Sequence, residues 1–382
     1  MNKTTLEILL EELELPSSAY ETAVSRYEDL GDFLSSDSSI AQYEPQVFAQ
    51  GSFRLGTAIK PLILTEPYDL DLTCKLTKGI SKLIISQEDF KKMIGNAVDQ
   101  YISKRQIKEA KKEKRRCWRI KYQDHIDFHM DVVPGIKIDD TSSLQEGMIK
   151  SSVSAEMAYE WAQLAYNITD NKRPNYSVIS YDWNISNPEG YARWFEQRMK
   201  LRMDEALLIK SGYEKIKVFN RKTVLQKAVQ ILKRHRDIMF KNEPDSKPIS
   251  IIITTLSGQA YLGERTLEDA ITNIVGKMRG LIRKSGVRVP NPTRPEEDFT
   301  DKWKENPNLE IAFERWLIQA QADFDILADN RNIKNIISKA NRSFGIILNE
   351  SIFGTSIVNK NVNVTSNRIK IDEVPPKPHM WK

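Results

Sequence analysis

The sequence contains two aspartates separated by one residue and a third aspartate further along the chain. Carboxylates are the side chains best suited to bind divalent cations. Asp69 and Asp71 flank Leu70, so in a strand both carboxylates point to one face while the leucine points to the other. Adjacent carboxylates repel each other unless a cation lies between them, and hard divalent cations prefer oxygen ligands. A third carboxylate from a neighbouring strand would complete a two-metal clamp for phosphoryl or nucleotidyl transfer.

The candidates for the third carboxylate lie in the segment from Asp127 to Pro134. Asp127, His129 and Asp131 alternate there, so a strand places all three on one face. At about 3.3 Å per residue the two aspartates stand roughly 13 Å apart, which is too far for both to serve one metal pair. Spacing alone leaves the choice open. For His129 we expect a packed side chain, with a position in the cleft as the alternative.

Ahead of these aspartates, Gly51 and Ser52 form the kind of turn that can hold a phosphate. If a helix begins after the turn, its free backbone N–H groups and the Ser52 hydroxyl can donate to phosphate oxygens. Glycine lets the backbone approach a ligand closely. Neither a Gly-Ser pair nor an Asp-x-Asp pair is specific alone, but their order, spacing and apolar flanks together indicate a nucleotide site.

The elements that must position these residues form a mixed α/β first half and a helical second half. Residues 5–35 predict two helices broken at Pro16, and Ser86 opens a further helix that runs to about residue 103. Strands are predicted at 45–50, 69–76, 117–122 and 126–133. After residue 151, helical periodicity predicts helices over 155–166, 188–210, 222–240, 249–262, 264–284, 308–328 and 332–348.

Composition is typical of a globular cytoplasmic protein. The 382 residues are 40% hydrophobic, enough for one large domain or two lobes with real cores. The two cysteines, Cys74 and Cys117, lack metal-ligand spacing, which favours a reducing cytosol. We expect no secretory leader. No apolar run approaches the roughly 20 residues needed to cross a bilayer, so we expect no membrane partner.

The segment from Lys104 to Lys121 is rich in positive charge, with ten Lys or Arg and two Glu. Nucleic acid bound there would be held without sequence preference and in a salt-dependent way. We favour the plainer interpretation, a solvated connection between a helix and a strand. The net charge of +5 does not by itself indicate nucleic acid.

The pattern of a Gly-Ser turn, an Asp-x-Asp strand and an apolar-flanked aspartate resembles the DNA polymerase β-like nucleotidyltransferase superfamily. More narrowly, the chain resembles the CD-NTases, bacterial enzymes related to cyclic GMP–AMP synthase and oligoadenylate synthetase. The resemblance covers roughly residues 40–350, and the segments that carry it are 50–61, 182–188, 232–237, 248–256, 289–292 and 297–303. The catalytic pattern is superfamily-wide, whereas the later segments make the match specific.

This resemblance implies an α+β fold with a polymerase β-like nucleotidyltransferase lobe, a helical-bundle lobe and an active site in the cleft between them. Residues 1–150 would form the nucleotidyltransferase core, with the N-terminal helices packed on the second lobe. Residues 151–359 would form a helical lobe of the oligoadenylate synthetase type. The polar, proline-bearing residues 360–382 are expected to form a mobile tail.

The resemblance also assigns roles to residues that match the family's motifs. Two Mg²⁺ ions, for which Mn²⁺ can substitute, would be bound by three carboxylates, those of Asp69, Asp71 and Asp131. Asp131 is chosen over Asp127 because the family's Val-Val-Pro segment follows it. Gly51 and Ser52 would hold the donor triphosphate. Lys233 and Ser250 match helical-lobe positions that reach the same triphosphate, and the alternative for Lys233 is a surface lysine in a basic helix.

The function implied is condensation of ribonucleoside triphosphates, ATP with ATP, GTP or a pyrimidine nucleotide, into a cyclic di- or trinucleotide second messenger. Pyrophosphate is released, and in the family the product alarms an antiphage effector (CBASS). The alternative is a polymerase β-like enzyme that adds nucleotides to an RNA or protein acceptor. A non-catalytic nucleic-acid-binding protein would leave the pairing of Asp69 and Asp71 unexplained.

The partners implied by the resemblance are few. Ribonucleoside triphosphates are the substrates, the protein is expected to be a monomer, and an operon-encoded regulator is a candidate partner for the C-terminal tail. The animal relative senses DNA through a zinc-bearing insertion, and no Cys/His cluster of that kind occurs in the sequence, so no nucleic-acid activator is expected. Base identity, linkage, ring size and the activating signal cannot be assigned from the sequence.

Overall fold

A computed structural model describes residues 4–62, 66–123, 127–200, 222–328 and 333–348. Its helices are α1 (Thr5–Leu13), α2 (Ser17–Ser36), α3 (Gly51–Leu55), α4 (Gln87–Lys104), α5 (Ser142–Lys150), α6 (Ala155–Ala162), α7 (Pro188–Met199), α8 (Val224–Met239), α9 (Ser250–Ala260), α10 (Leu267–Lys284), α11 (Asn308–Ala328) and α12 (Ile333–Phe344). Its strands are β1 (Pro45–Gln50), β2 (Tyr68–Leu76), β3 (Lys112–Glu113), β4 (Trp118–Tyr122), β5 (Phe128–Lys137), β6 (Tyr166–Ile168), β7 (Asn184–Ser186), β8 (Pro290–Asn291) and β9 (Arg294–Asp298).

The main sheet is mixed, as the sequence predicted. Its strand order is β1-β2-β5-β4-β3, and β6 pairs with β5 and then with β7. β2 and β5 run parallel, whereas every other pairing in this sheet is antiparallel. The parallel pair lies at the centre, so the two strands that carry the predicted aspartates are neighbours. A separate hairpin joins β8 to β9.

Alternation along β2 explains why one of its faces is buried and the other is available for chemistry. Leu70, Leu72, Cys74 and Leu76 are all fully buried. They pack with apolar residues of α2 and α4 into one hydrophobic core beneath the sheet. The opposite face therefore carries Asp69 and its alternate neighbours along the strand.

A second hydrophobic core lies among the helices. The leucines of α1 join the buried faces of α7 to α12 there, together with residues of α5 and α6. The apolar positions of α10 recur every three or four residues, which is the spacing that buries one helix face. The α+β architecture predicted from the sequence is thus confirmed.

The cores do not follow the boundary that was placed at residue 150. α5 precedes that boundary but packs in the helical core, whereas β6 and β7 follow it and extend the sheet. The helix predicted over 155–166 ends at Ala162, because Tyr166 pairs with Lys137 of β5 instead. Of the two N-terminal helices, α1 packs in the helical core and α2 packs under the sheet.

Some sequence predictions fall on other parts of the chain. Residues 201–210 of one predicted helix and the tail at 360–382 lie outside the described residues. Within the described residues, no helix combines the length and apolar character needed to span a bilayer.

Candidate active site

The register of β2 and β5 brings the predicted carboxylates together. Asp71 lies directly beside Asp131, and Asp69 lies beside His129. All four side chains stand on the same face, because they occupy alternate positions of two paired strands. Asp127 instead precedes β5 and is exposed, and its backbone carbonyl accepts a hydrogen bond from the Tyr68 N–H at 3.0 Å. The geometry thus groups Asp131, not Asp127, with the Asp69–Asp71 pair.

The backbone at Gly51 packs closely against one of these carboxylates, that of Asp71. Gln50 is paired with Asp71 across β1 and β2, so the next residue passes over the Asp71 side chain. A Cβ atom on Gly51 would lie 2.5 Å from Asp71 Oδ2, and the backbone there has φ +68°. Both observations require glycine at this position. α3 begins here, and Ser52, half-buried, is its second residue.

Arg119 is a site residue that the sequence analysis missed. It lies opposite Asp131 in the β4–β5 pairing. Its guanidinium donates two hydrogen bonds to Asp131, from Nε to Oδ1 and from Nη2 to Oδ2, each 2.7 Å long. The same Nη2 lies 3.5 Å from Asp69 Oδ1. Alternation along 118–122 would put Arg119 and Lys121 on one face, but only the register with β5 identifies that face as the one with the carboxylates.

His129 lies on this face beside Arg119 and Asp69, partly exposed, and is not packed in a hydrophobic core. Its Nδ1 lies 3.1 Å from Arg119 Nη1 and 3.3 Å from Asp69 Oδ1. Its partial burial and the neighbouring Arg119 cation lower the pKa of His129. A neutral imidazole can accept the hydrogen bond that Arg119 donates.

Negative charge is concentrated around Asp71. Burial, followed by the charges of Asp131 and Asp69, raises the pKa of Asp71 to about 7, and Arg119 opposes that rise. Cys117 lies close enough to share a hydrogen bond with Asp131, and burial together with that carboxylate raises the pKa of its thiol to about 12. A carboxylate with a raised pKa is stabilised in its charged form by an added cation.

The site has the chemistry for hard divalent cations. Its donors are carboxylate oxygens, the ligands that Mg²⁺ and Mn²⁺ prefer, and the lack of a side chain at Gly51 lets the backbone approach Asp71 closely. Among the residues that the structure describes, no three His, Cys, Asp or Glu side chains form a complete set of metal ligands. Both oxygens of Asp131 accept hydrogen bonds from Arg119.

The short helix α3 is fixed to the helical core by a buried ion-pair cluster. Arg54 donates to both carboxylate oxygens of Glu189 and to Glu196, and all three residues are buried. Glu189 and Glu196 both lie on α7, and Arg193 of the same helix lies 3.0 Å from Glu189. The orientation of the Gly51–Ser52 turn is therefore set by contacts with α7 as well as by β1.

Lys233 is buried, so the alternative of a surface lysine is wrong. Its Nζ donates to the Thr57 carbonyl at 2.8 Å, and burial, helped by Arg236, lowers its pKa to about 7. Other α8 side chains make the same kind of contact with the segment after α3; the pairs are Gln226 to Leu55 at 2.9 Å, Gln230 to Ala58 at 2.7 Å and Arg234 to Lys60 at 2.6 Å. One face of α8 thus donates hydrogen bonds to four of the six backbone carbonyls of residues 55–60.

Ser250 is the first residue of α9, and its hydroxyl accepts a hydrogen bond from Arg236 Nη1 at 2.8 Å. Arg236 also donates to the Pro248 carbonyl at 3.0 Å. Arg236 therefore fixes the start of α9 to α8. Of the residues predicted from the sequence, the structure groups Asp69, Asp71, Asp131 and Gly51, links Lys233 to the segment after α3, and places Ser250 on the helical side.

The basic segment 104–121 is more than a solvated connection. Arg115 and Arg116 both donate to Asp170, whose side chain is fully buried. Other cations of the segment are also paired with carboxylates, namely Arg105 with Asp29, Lys111 with Asp99, Lys121 with Glu109, and Arg119 with both Asp131 and Asp69. These pairs show that much of the positive charge is neutralised within the protein.

A mixed sheet with carboxylates on a central parallel pair, behind a Gly-Ser turn and a short helix, defines a nucleotidyltransferase. Residues 45–134 match the family model described as "Cyclic GMP-AMP synthase DncV-like, nucleotidyltransferase domain". A c-di-GMP synthase from Roseivirga ehrenbergii is 30% identical over 313 residues, which cover 80% of this chain and 74% of that protein. The chain belongs to the CD-NTase family, and the resemblance proposed from the sequence is confirmed.

Solved structures show the same fold. CdnG of Bradyrhizobium diazoefficiens, in complex with GTP, superposes with a TM-score of 0.65 at 18% identity, covering 89% of this chain and 94% of that one. A mutant of the Vibrio cholerae dinucleotide cyclase DncV, in complex with ATP, GTP and a further ligand, gives a TM-score of 0.56 at 14% identity, covering 90% and 95% of the two chains.

Proposed function

We propose that this protein condenses ribonucleoside triphosphates into a cyclic di- or trinucleotide and releases pyrophosphate. The observation that carries the proposal is the adjacency of Asp71 and Asp131 beneath Gly51, at the end of the Gly-Ser turn. GTP is proposed as a substrate because a relative is named a c-di-GMP synthase. ATP with ATP, ATP with GTP, and ATP with a pyrimidine nucleotide are the other combinations proposed.

Three carboxylates, those of Asp69, Asp71 and Asp131, would hold two Mg²⁺ ions, for which Mn²⁺ can substitute. When bound, the ions neutralise triphosphate charge and lower the pKa of the attacking ribose hydroxyl. Gly51, which has no side chain, lets the backbone of the turn lie close to Asp71. Ser52 offers its hydroxyl and its backbone N–H to the donor phosphates. The Arg54–Glu189 contact keeps that turn in place while the nucleotide binds.

Lys233 is proposed to act on the nucleotide through Thr57. Its buried amine donates to the Thr57 carbonyl at 2.8 Å, and this contact links Lys233 to the segment after α3. Ser250 is proposed as a phosphate contact from the helical side, since its half-buried hydroxyl can donate its proton while it accepts from Arg236.

The wider setting is also a proposal. A nucleotidyltransferase lobe and a helical lobe would enclose the cleft, and the enzyme would act as a cytoplasmic monomer in antiphage defence. An operon-encoded regulator is proposed to act at residues 360–382; a CdnC from Escherichia coli has been solved with a HORMA partner.

Product analysis tests this function directly. The protein is incubated with each radiolabelled ribonucleoside triphosphate, singly and in pairs, with Mg²⁺ or Mn²⁺, then treated with phosphatase and chromatographed. A phosphatase-resistant small product is expected, and the double variant Asp69→Asn, Asp71→Asn should make none. Label on added RNA or on protein would support the alternative acceptor reaction instead. Absence of any resistant product across metals and pH would contradict the proposal.

A further inference from the structure

Arg119 stands where a cation bound between two of the proposed metal ligands would stand. Both oxygens of Asp131 accept its hydrogen bonds at 2.7 Å, and Asp69 Oδ1 lies 3.5 Å from the same Nη2. The side chains of Arg119 and Asp131 are 21% and 14% exposed, so their ion pair is largely shielded from water, whereas the side chain of Asp69 is 62% exposed. A guanidinium matches a carboxylate in this two-pronged way better than any other side chain.

We propose that Arg119 is an internal counter-ion that competes with the divalent cation for Asp131, and that it must release at least one Asp131 oxygen before the metal can bind. This inference rests on the proposed function, because it takes Asp69, Asp71 and Asp131 as the metal ligands. It adds a positioning residue that acts before catalysis, by pairing with Asp131 and Asp69 in the metal-free site.

Three consequences follow from the geometry. The repulsion among the three neighbouring carboxylates of the metal-free site is reduced, because one fixed cation lies among them. Free divalent cations should bind more weakly than the carboxylate count suggests, because each must displace a charge-assisted hydrogen bond. A triphosphate brings phosphate oxygens that can accept the released guanidinium, so nucleotide should favour metal entry.

Mn²⁺ binding, followed by electron paramagnetic resonance without nucleotide, tests the competition. Arg119→Met keeps much of the aliphatic stem and removes the charge, and it should bind Mn²⁺ about ten- to a hundredfold more tightly than the natural protein. Arg119→Lys retains the charge but loses the two-pronged contact, so its affinity should lie between the two. Addition of Asp71→Asn should abolish the tight binding, which locates the ion at this site.

Arg105 supplies a matched control. It also makes a two-pronged pair with an aspartate, Asp29, but away from the proposed metal ligands. Arg105→Met should leave the Mn²⁺ affinity unchanged. In the absence of metal, Arg119→Met should melt at a lower temperature than the natural protein, and Mn²⁺ should raise its melting temperature by more than it raises that of the natural protein.

Two results would overturn the competition. One is that folded Arg119→Met binds Mn²⁺ no more tightly than the natural protein does. The other is that neither protein binds Mn²⁺ in the absence of nucleotide. If Arg119→Met does not fold, the Mn²⁺ affinity of Arg119→Lys is compared with that of the natural protein instead, and the absence of tighter binding would contradict the competition. Because no nucleotide is added, these results are independent of whether a cyclic product forms, and a failed synthesis assay leaves them interpretable.

Discussion

Arg54 and Glu189 form a buried two-pronged ion pair that joins α3 to α7. Nε of the arginine lies 2.9 Å from Oε2 and Nη2 lies 2.5 Å from Oε1, and Glu196 accepts from Nη1 at 2.8 Å. The turn that carries Ser52 is thereby attached to a helix of the second hydrophobic core. The sheet side and the helical side of the molecule share this buried contact, so the turn cannot shift without breaking it.

Replacing Arg54 by Met should destabilise the fold by about 3–5 kcal/mol, because it leaves two buried carboxylates with fewer partners. Urea unfolding at neutral pH measures this change. The control is Arg105→Met, which breaks a half-exposed pair with Asp29 and should cost far less than Arg54→Met. A cost for Arg54→Met as small as that of the control would mean that the buried pair contributes little to stability.

Replacing Gly51 by Ala should abolish nucleotide synthesis. The added Cβ would lie 2.5 Å from Asp71 Oδ2, and the alanine would have to adopt the backbone angle φ +68°. The carboxylate or the turn must therefore move. Product formation and urea unfolding are both measured. Gly276→Ala is the matched control, because a Cβ there meets nothing within 4 Å on a regular helix. It should keep full activity and gain up to about 1 kcal/mol. Normal synthesis by Gly51→Ala would contradict the close approach at Asp71.

Replacing Asp131 by Asn should reduce synthesis nearly as much as replacing Asp71, whereas Asp127→Asn should have a much milder effect. Asp131 is adjacent to Asp71 in the parallel pairing, while Asp127 is exposed before the strand begins. Initial rates at saturating Mg²⁺ and nucleotide measure the order, with circular dichroism as the check of folding. The opposite order would mean that Asp127 is the third ligand.

Neutralising Asp71 should also stabilise the metal-free protein at alkaline pH. The pKa of Asp71 is raised to about 7, so its contribution to stability is full below the unfolded value near 3.9 and is lost as the pH rises through 7. Asp71→Asn has no such loss and should melt higher than the natural protein at pH 8 with chelator. Equal melting temperatures at pH 8 would indicate that Arg119 already neutralises the site fully.

That Asp69 and Asp71 share one face could be predicted from the sequence because the signals are local. Alternation places Asp69 and Asp71 on one face, and a glycine before them marks a close backbone approach. The third ligand needed the family pattern, since spacing alone left Asp127 and Asp131 open. In the structure a single fact, the parallel register of β2 with β5, separates the two aspartates. Register between distant strands is not readable from one strand's own residues.

The same limit explains what the sequence analysis missed. Arg119 reaches the carboxylates only because β4 pairs with β5, and its neighbours in sequence suggested a solvated basic segment. The prediction of a helix over 155–166 is wrong at Tyr166. Pairing with β5 decides the conformation of that residue, and local periodicity does not reveal the pairing. Lys233 fitted both a phosphate contact and a surface position, and the carbonyl that it binds lies 176 residues away in the chain.

Replacing Lys233 by Met separates two roles for this residue. If Lys233 acts by holding Thr57, Gln230→Leu should give a similar loss of activity, because Gln230 holds the adjacent Ala58 carbonyl from the same helix. If Lys233 contacts the triphosphate, Lys233→Met alone should raise the KM for nucleotide by about ten- to a hundredfold. Steady-state kinetics on both variants measure the difference. We expect the first pattern, with kcat and KM changing in parallel in the two variants.

Asp323, on α11, accepts hydrogen bonds from side chains of three helices of the second hydrophobic core. Its buried carboxylate accepts from Lys339 at 2.7 Å, Gln319 at 2.6 Å and His235 at 3.1 Å, and also from Ser343. Burial alone would raise its pKa, but these hydrogen bonds, that of His235 foremost, hold the pKa of Asp323 below its usual range. The ionised carboxylate is therefore part of what holds α8, α11 and α12 together.

Replacing Asp323 by Asn should cost about 3–5 kcal/mol at pH 7, because the buried donors lose a charged acceptor. A lowered pKa in the folded state means that this stability is present above the unfolded value near 3.9 and is lost as the pH falls below it. Urea unfolding at pH 7, 5 and 3.5 should therefore show a constant difference from the natural protein at the first two values and a smaller one at the last. Asp325→Asn, on an exposed position of the same helix, should stay within about 0.5 kcal/mol throughout. A difference for Asp323→Asn that is independent of pH down to 3.5 would show that the amide is disfavoured by its shape and not by its lost charge.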